Sequence, residues 1–130
     1  MPPLNVVLLL FKNVSINDGE LNFNSGSSVS SGTVFNSVNS TVSIISNSTN
    51  SNEILNALNG GTNSNLNIIV DNSNAGADLT VDGTSITQLT FKNTSEYSGA
   101  LSGTGDVKNE GNLTVKGDES GFTGTFTQAN

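Results

Sequence analysis

The chain contains no cysteine, histidine, arginine or tryptophan, and only two prolines and one tyrosine in 130 residues. Each absence removes a class of chemistry. Without cysteine there is no disulfide frame and no thiolate nucleophile. Without histidine a Ser-His-Asp triad cannot be assembled. Charge is scarce at 12% of residues, about half the ordinary share. The only cations are four scattered lysines, Lys12, Lys92, Lys108 and Lys116, against eleven acids, for a formal net charge of −7. Nucleic acid is therefore not an expected partner, because neutralising phosphates takes clustered cations. An anionic membrane surface is disfavoured for the same reason. Long apolar runs are missing too. Leu4 to Phe11 is far short of the ~20 residues a spanning helix needs, so membrane insertion is not expected.

That apolar start is read as a buried first strand running from Val6 towards Ile16. No basic residues precede it and no small-residue cleavage site follows it, as a signal peptide requires. Pro2 and Pro3 stop a helix from beginning earlier. Residues 1–19 are thus an N-terminal strand or cap within a single domain spanning 1–130.

What the chain has in excess is Asn, Ser, Thr and Gly, which favour turns and β edges over helices. Short apolar–polar alternations punctuate it: Glu20–Asn24, Thr33–Phe35, Thr41–Ile45, Asn65–Val70, Asp78–Asp82, Gln88–Phe91, Asn112–Val115 and Gly124–Thr127. Period-two alternation with β-branched residues means strands with one face buried. Ser25 to Ser28 reads as a turn. One segment differs: Asn52 to Gly60 puts Ile54, Leu55 and Leu58 on one helical face. Ser51 or Asn52 can cap its start, and Gly60-Gly61 can end it.

The alternations include a repeated phrase. Leu89-Thr90-Phe91-Lys92-Asn93 and Tyr97-Ser98-Gly99-Ala100-Leu101 return as Leu113-Thr114-Val115-Lys116-Gly117 and Phe122-Thr123-Gly124-Thr125-Phe126. The offset of about 24–25 residues lies in the range of stacked repeats. It predicts an all-β, right-handed parallel β-helix of roughly five or six coils, with a β-sandwich as the alternative. The expected repeat core is Leu89, Phe91, Tyr97, Leu101, Leu113, Val115, Phe122 and Phe126. Asn at equivalent corners is expected to form ladders of amide hydrogen bonds.

Residues 89–130 also carry Tyr97-Ser98-Gly99, Leu101-Ser102-Gly103-Thr104-Gly105-Asp106-Val107, Gly111-Asn112-Leu113-Thr114-Val115-Lys116-Gly117 and Phe122-Thr123-Gly124. This string resembles the autotransporter-associated β-strand repeat of bacterial surface proteins; residues 1–64 share only its composition. The resemblance implies a β-helical passenger at the bacterial cell surface or outside the cell, whose relatives act as adhesins, aggregation factors or scaffolds. Nothing in the chain looks like the membrane barrel that exports such passengers, which implies a fragment or another route of secretion.

The expected function is therefore a non-catalytic, extracellular adhesive or structural module whose partners are copies of itself or a host or cell-surface glycan or protein. The alternative is a subunit of an extracellular filament, in which Val6, Val7, Leu8, Leu9, Leu10 and Phe11 are donated to a neighbour by strand addition. Catalysis is weighed and set aside. Lys92 with Thr94 or Ser95 is read as an ordinary solvated surface. Asp78, Asp82, Glu96, Glu110, Asp118 and Glu119 could supply paired carboxylates, but sequence places no two at a working separation. Ice binding would need more Thr at one spacing than Thr80, Thr90 and Thr114 provide. The Asn-x-Ser/Thr triplets at Asn13, Asn39, Asn47, Asn93 and Asn112 follow from composition.

No cofactor is expected. Calcium is the one ion the sequence suggests, at Asp71–Asp78 or Gly103–Val107, although both lack the spaced acidic ligands of a full loop. Thermal unfolding in calcium and in chelator is expected to give one midpoint; a higher midpoint with calcium assigns one of these turns to the ion.

Overall fold

The computed structural model describes residues 4–9, 12–30, 32–45, 51–71 and 74–129. In chain order its strands are β1 (Leu4–Leu9), β2 (Asn13–Asn17), β3 (Glu20–Val29), β4 (Val34–Ile44), β5 (Asn63–Val70), β6 (Asn74–Ala75), β7 (Leu79–Thr80), β8 (Ile86–Phe91), β9 (Glu96–Tyr97), β10 (Leu101–Gly103), β11 (Asp106–Asn109), β12 (Thr114–Val115), β13 (Gly121–Phe122) and β14 (Thr125–Gln128). One helix, α1 (Ser51–Asn59), lies between β4 and β5.

Three parallel sheets form the walls of a β-solenoid of about five turns. The first wall runs β1-β3-β4-β5-β8-β11-β14, with β2 also paired to β4. The second is β6-β9-β12 and the third β7-β10-β13. Every pairing is parallel and joins one lap to the next. A sandwich of antiparallel layers is thereby excluded.

Register turns the alternation into columns. Leu21, Val42, Ile68, Leu89, Val107 and Phe126 are successive partners on the first wall, and so are Phe23, Ile44, Val70, Phe91, Asn109 and Gln128. From Leu21 to Val107 and from Phe23 to Phe91 both columns are buried. Because side chains alternate faces along a strand, the same register sends Asn67, Gln88 and Asp106 outward. Phe23 and Phe35 meet edge to face at 5.7 Å between ring centroids, and Phe91 meets Tyr97 at 5.1 Å. The Tyr97 hydroxyl, at the end of a fully buried ring, donates to the Ala77 carbonyl. Burial raises its ionisation above the ordinary tyrosine value, and the nearby Asp78 charge adds to that.

The helix replaces two walls in the lap that contains it. Ile54, Leu55 and Leu58, on the face expected from their spacing, are fully buried, with Ala57 beside them. The helix packs on β3, β4 and β7, and Gly60 and Gly61 close it with amides bonded to the Asn56 and Leu58 carbonyls. Asn52 is not its cap. Its side-chain oxygen reaches into the next lap and accepts the Gly76 N–H at 2.7 Å.

Left-handed corners stack as well. Asp18, Asn39 and Asn65 have φ of 53°, 49° and 57°, a conformation Asn and Asp tolerate better than other non-glycine residues. Asn39 donates to Asp18 (3.3 Å) and Asn65 to Asn39 (3.0 Å), while the Thr87 hydroxyl, 3.3 Å from the Asn65 side-chain oxygen, lies nearer that of Asn67 at 2.9 Å. One rung, Asn65 to Asn39, joins two amides as the Asn content predicted, but it lies at bends within β4 and β5, and the row ends where β8 bulges against β5 around Thr87.

Two expectations are corrected. Ser25 to Ser28 is not a separate turn: the strand continues, and the chain bulges, since Val6 pairs with Phe23 while Leu8 pairs with Ser28. More consequentially, the repeated phrase is not the structural lap. Leu89 lies beside Val107, whereas Leu113-Thr114-Val115 sits on the second wall, with Val115 beside Tyr97. Phe122 is on the third wall, beside Gly103. Along the Leu21–Phe126 column the laps run from 18 residues (Leu89 to Val107) to 26 (Val42 to Ile68). The phrase recurs because each wall uses the same chemistry, an apolar strand ending in a tight turn. At Gly117 that turn presses on the lap below, so that an added Cβ would collide with the Gly99 carbonyl.

The ladder yields a prediction. A β-branched residue in the left-handed region costs ~1–2 kcal/mol and each lost hydrogen bond about 0.5–1.5 kcal/mol. Asn65→Val is expected to destabilise by about 2–3 kcal/mol and Asn65→Gly by about 1 kcal/mol, read by denaturant unfolding.

Candidate functional surface

Two features of the solenoid face outward with order: its long first wall and its ends. On the first wall Thr41, Asn67, Gln88, Asp106 and Thr125 form one outer row in register, and Ser43, Ile69, Thr90, Lys108 and Thr127 another. Elsewhere the outer polar groups tie laps together. Thr80 and Ser102 share a hydroxyl hydrogen bond of 3.1 Å, the Thr104 hydroxyl donates to the Asp82 carbonyl at 3.0 Å, and the Asn93 amide donates to Asp71.

Five of the six acids considered for chemistry are engaged by ion pairs or hydrogen bonds, and Glu119 is exposed. Glu96 pairs with Lys116 at 2.8 Å and Glu110 with Lys108 at 3.1 Å. Asp78 accepts the Ala100 N–H at 2.8 Å, and Asp118 accepts that of Ser120 at 2.8 Å. Asp82 accepts the N–H groups of Thr84 (2.8 Å) and Ser85 (2.7 Å). Thr94 is buried and its hydroxyl is directed to the Val70 carbonyl, while Lys92 and Ser95 are exposed. Among the described residues no group of three or more acidic, His or Cys side chains converges as a metal site. The Asp71–Asp78 segment is described only in part, as residues 72 and 73 lie outside the described residues, as does Asn47.

The expected core residues divide along the axis. Leu89, Phe91, Tyr97 and Leu101 are buried. Leu113 and Phe122 are half-buried against the core, and Val115 is half-buried too. Phe126 is 48% exposed, although Leu89 and Val107 below it in the same column are 0% and 1% exposed. It stands in the inward column on the last described lap. The neighbouring column instead ends in amides: Asn109 donates to the Gln128 side chain at 2.7 Å, and Gln128 donates to the Gly111 carbonyl at 3.2 Å.

The opposite ends of the second and third walls are closed. There the helix supplies what a preceding strand would: Asn52 takes the Gly76 N–H, and Asn59 takes the Thr80 N–H at 3.0 Å. Sequence reasoning missed this role. The only signal was an Asn at each end of an amphipathic segment. The first wall begins with β1, whose backbone lies beside β3 across a broken register. Of the proposed donor residues, Leu10 and Phe11 lie outside the described residues. No described helix is long and apolar enough to cross a membrane.

Comparison with family models, with curated proteins and with solved structures finds no match.

The Asp82 turn has a pH signature. Hydrogen bonding from the Thr84 N–H, the largest influence, holds its carboxyl below the ordinary 3.8. A depressed folded value stabilises above the unfolded pKa, and that contribution is lost as pH falls through the folded value. Asp82→Asn keeps an acceptor but cannot titrate, so its thermal midpoint is expected to fall less than that of the parent between about pH 5 and pH 2.

Proposed function

We propose that this chain is a non-catalytic structural and adhesive module of the bacterial cell surface or extracellular space, working by presentation rather than by chemistry. The observation that carries the reading is the outer face of the first wall. Rows mainly of Thr, Asn, Gln and Ser, interrupted by Asp106, Lys108 and Ile69, recur there one strand spacing apart, ~4.8 Å. The buried columns beneath hold their backbone rigid, so little ordering entropy is lost when these groups bind. Mostly uncharged donors and acceptors at a fixed repeat suit sugar hydroxyls or a matching protein surface. Such a role calls for no cofactor, nucleic acid or inserted membrane segment. The resemblance of residues 89–130 to the autotransporter-associated repeat supports a surface location and association with copies of itself.

A filament subunit is the second reading. It is favoured by the broken register that holds β1 to β3, since a strand with an interrupted ladder is easier to exchange with a neighbour.

Two measurements test these readings. On a glycan array or in cell attachment, replacing Gln88 and Thr90 together by Lys is expected to weaken binding about tenfold, as losing one or two hydrogen bonds would; attachment that ignores the first wall overturns the adhesive reading. Removing residues 1–11 is expected to abolish polymerisation if β1 is the donor, and filaments as abundant as those of the full chain overturn the donor-strand reading.

A further inference from the structure

Buried polar groups are normally hydrogen-bonded, so an exception asks for an occupant. Asn63, the first residue of β5, is 9% exposed. Its amide nitrogen is used: it donates to the Leu58 carbonyl at 2.7 Å. Its side-chain oxygen is buried and has no hydrogen-bond partner among the described residues. Ser37, which faces Asn63 from β4, has a buried hydroxyl in the same condition, and the two do not bond each other.

Asn63 lines a pocket of about 150 Å³ between the end of α1, the start of β5 and the turn that leads into β8. The other polar residues around it are Asn59, Thr80, Asp82 and Ser85. Their hydrogens are largely spent. Thr80 shares a hydroxyl hydrogen bond with Ser102, and the Thr80 N–H goes to the Asn59 side-chain oxygen. The Thr84 N–H, the Ser85 N–H and the Ser85 hydroxyl all go to Asp82. What remains is mainly the lone pairs of oxygen atoms.

The charge around the pocket is of one sign. No lysine lines it, and the two ion pairs among the described residues lie elsewhere, at Glu96 and Glu110. The C-terminal end of α1 is the negative end of its dipole, and the last turn of the helix carries no basic residue. A water molecule brings lone pairs that need donors, whereas a hard cation needs only oxygen. Calcium takes about six to eight oxygens and is usually met by more than one carboxylate. The single carboxylate here, Asp82, balances one positive charge. We propose that this pocket binds a monovalent metal cation, sodium or potassium, through the side-chain oxygens of Asn63 and Asp82, with Asn59, Thr80 and Ser85 completing its shell. So held, the end of α1 is pinned to the turn of the following lap. The site is independent of what the first wall binds.

Thermal unfolding of the full chain in sodium, potassium and choline chloride at one ionic strength tests the site. Choline is the reference, because methyl groups shield its charge from coordination. The midpoint is expected to stand about 3–6 °C higher in sodium or potassium than in choline, as for a ligand at about ten times its dissociation constant. The larger rise names the ion. Asp82→Asn, with circular dichroism unchanged, is expected to abolish the rise, and Ser85→Ala to shrink it. Asp106→Asn makes the same change in net charge on the outer row of the first wall and should keep it. One midpoint in all three salts overturns the cation and leaves water as the donor to Asn63. A rise that survives both Asp82→Asn and Ser85→Ala is a general effect of salt and overturns it too, as does a rise that Asp106→Asn removes.

Discussion

Lap-to-lap hydrogen bonding in parallel register is the constraint on which everything else here depends. It places each residue of the first wall beside a partner roughly one lap away and keeps side-chain direction in step from lap to lap. Burial, ladders and corners all follow. Val42 is buried because Leu21 and Ile68 flank it in the same column, and Asn39 is held left-handed where Asp18 and Asn65 bracket it. A slip of one residue would turn each apolar column outward, so core and register enforce one another.

The same constraint makes the ends the exceptional places. Within the stack, strand amides and carbonyls are satisfied above and below. At a terminus, half of them face outward unless something else is supplied. Among the described residues this molecule supplies it unequally: side-chain amides of the helix at the start of two walls, and an Asn109–Gln128 pair over one inner column. Repeat folds normally carry polar caps for this reason.

Much of the fold was legible in the sequence, and the particular residues say why. Ile54, Leu55 and Leu58 share a helical face whatever surrounds them, and they are buried. Asn65 to Val70 alternates, and its apolar members line the core. Of the two-residue strands, Leu79–Thr80 and Thr114–Val115 lay inside readable alternations, whereas Asn74–Ala75 and Gly121–Phe122 did not, because a pair of residues has no periodicity of its own. The repeated phrase misled about the lap for a related reason. Leu89-Thr90-Phe91 and Leu113-Thr114-Val115 obey the same strand-then-turn rule on different walls, and a string cannot say which wall it belongs to. Of the candidate surface, Phe126 was legible only as core; its exposure goes with its place on the last described lap.

The sequence by itself determined that this chain is strand-rich with one short helix and without the residues for a His- or Cys-based site, and it favoured stacking while leaving a sandwich open. These are properties of local pattern and composition, which act over a few residues. Only the tertiary structure decided the length of each lap, the closing of two walls by Asn52 and Asn59, and the exposure of Phe126. Each of those depends on which distant segment lies one strand spacing away, and that is settled by packing around an axis rather than by neighbours along the chain.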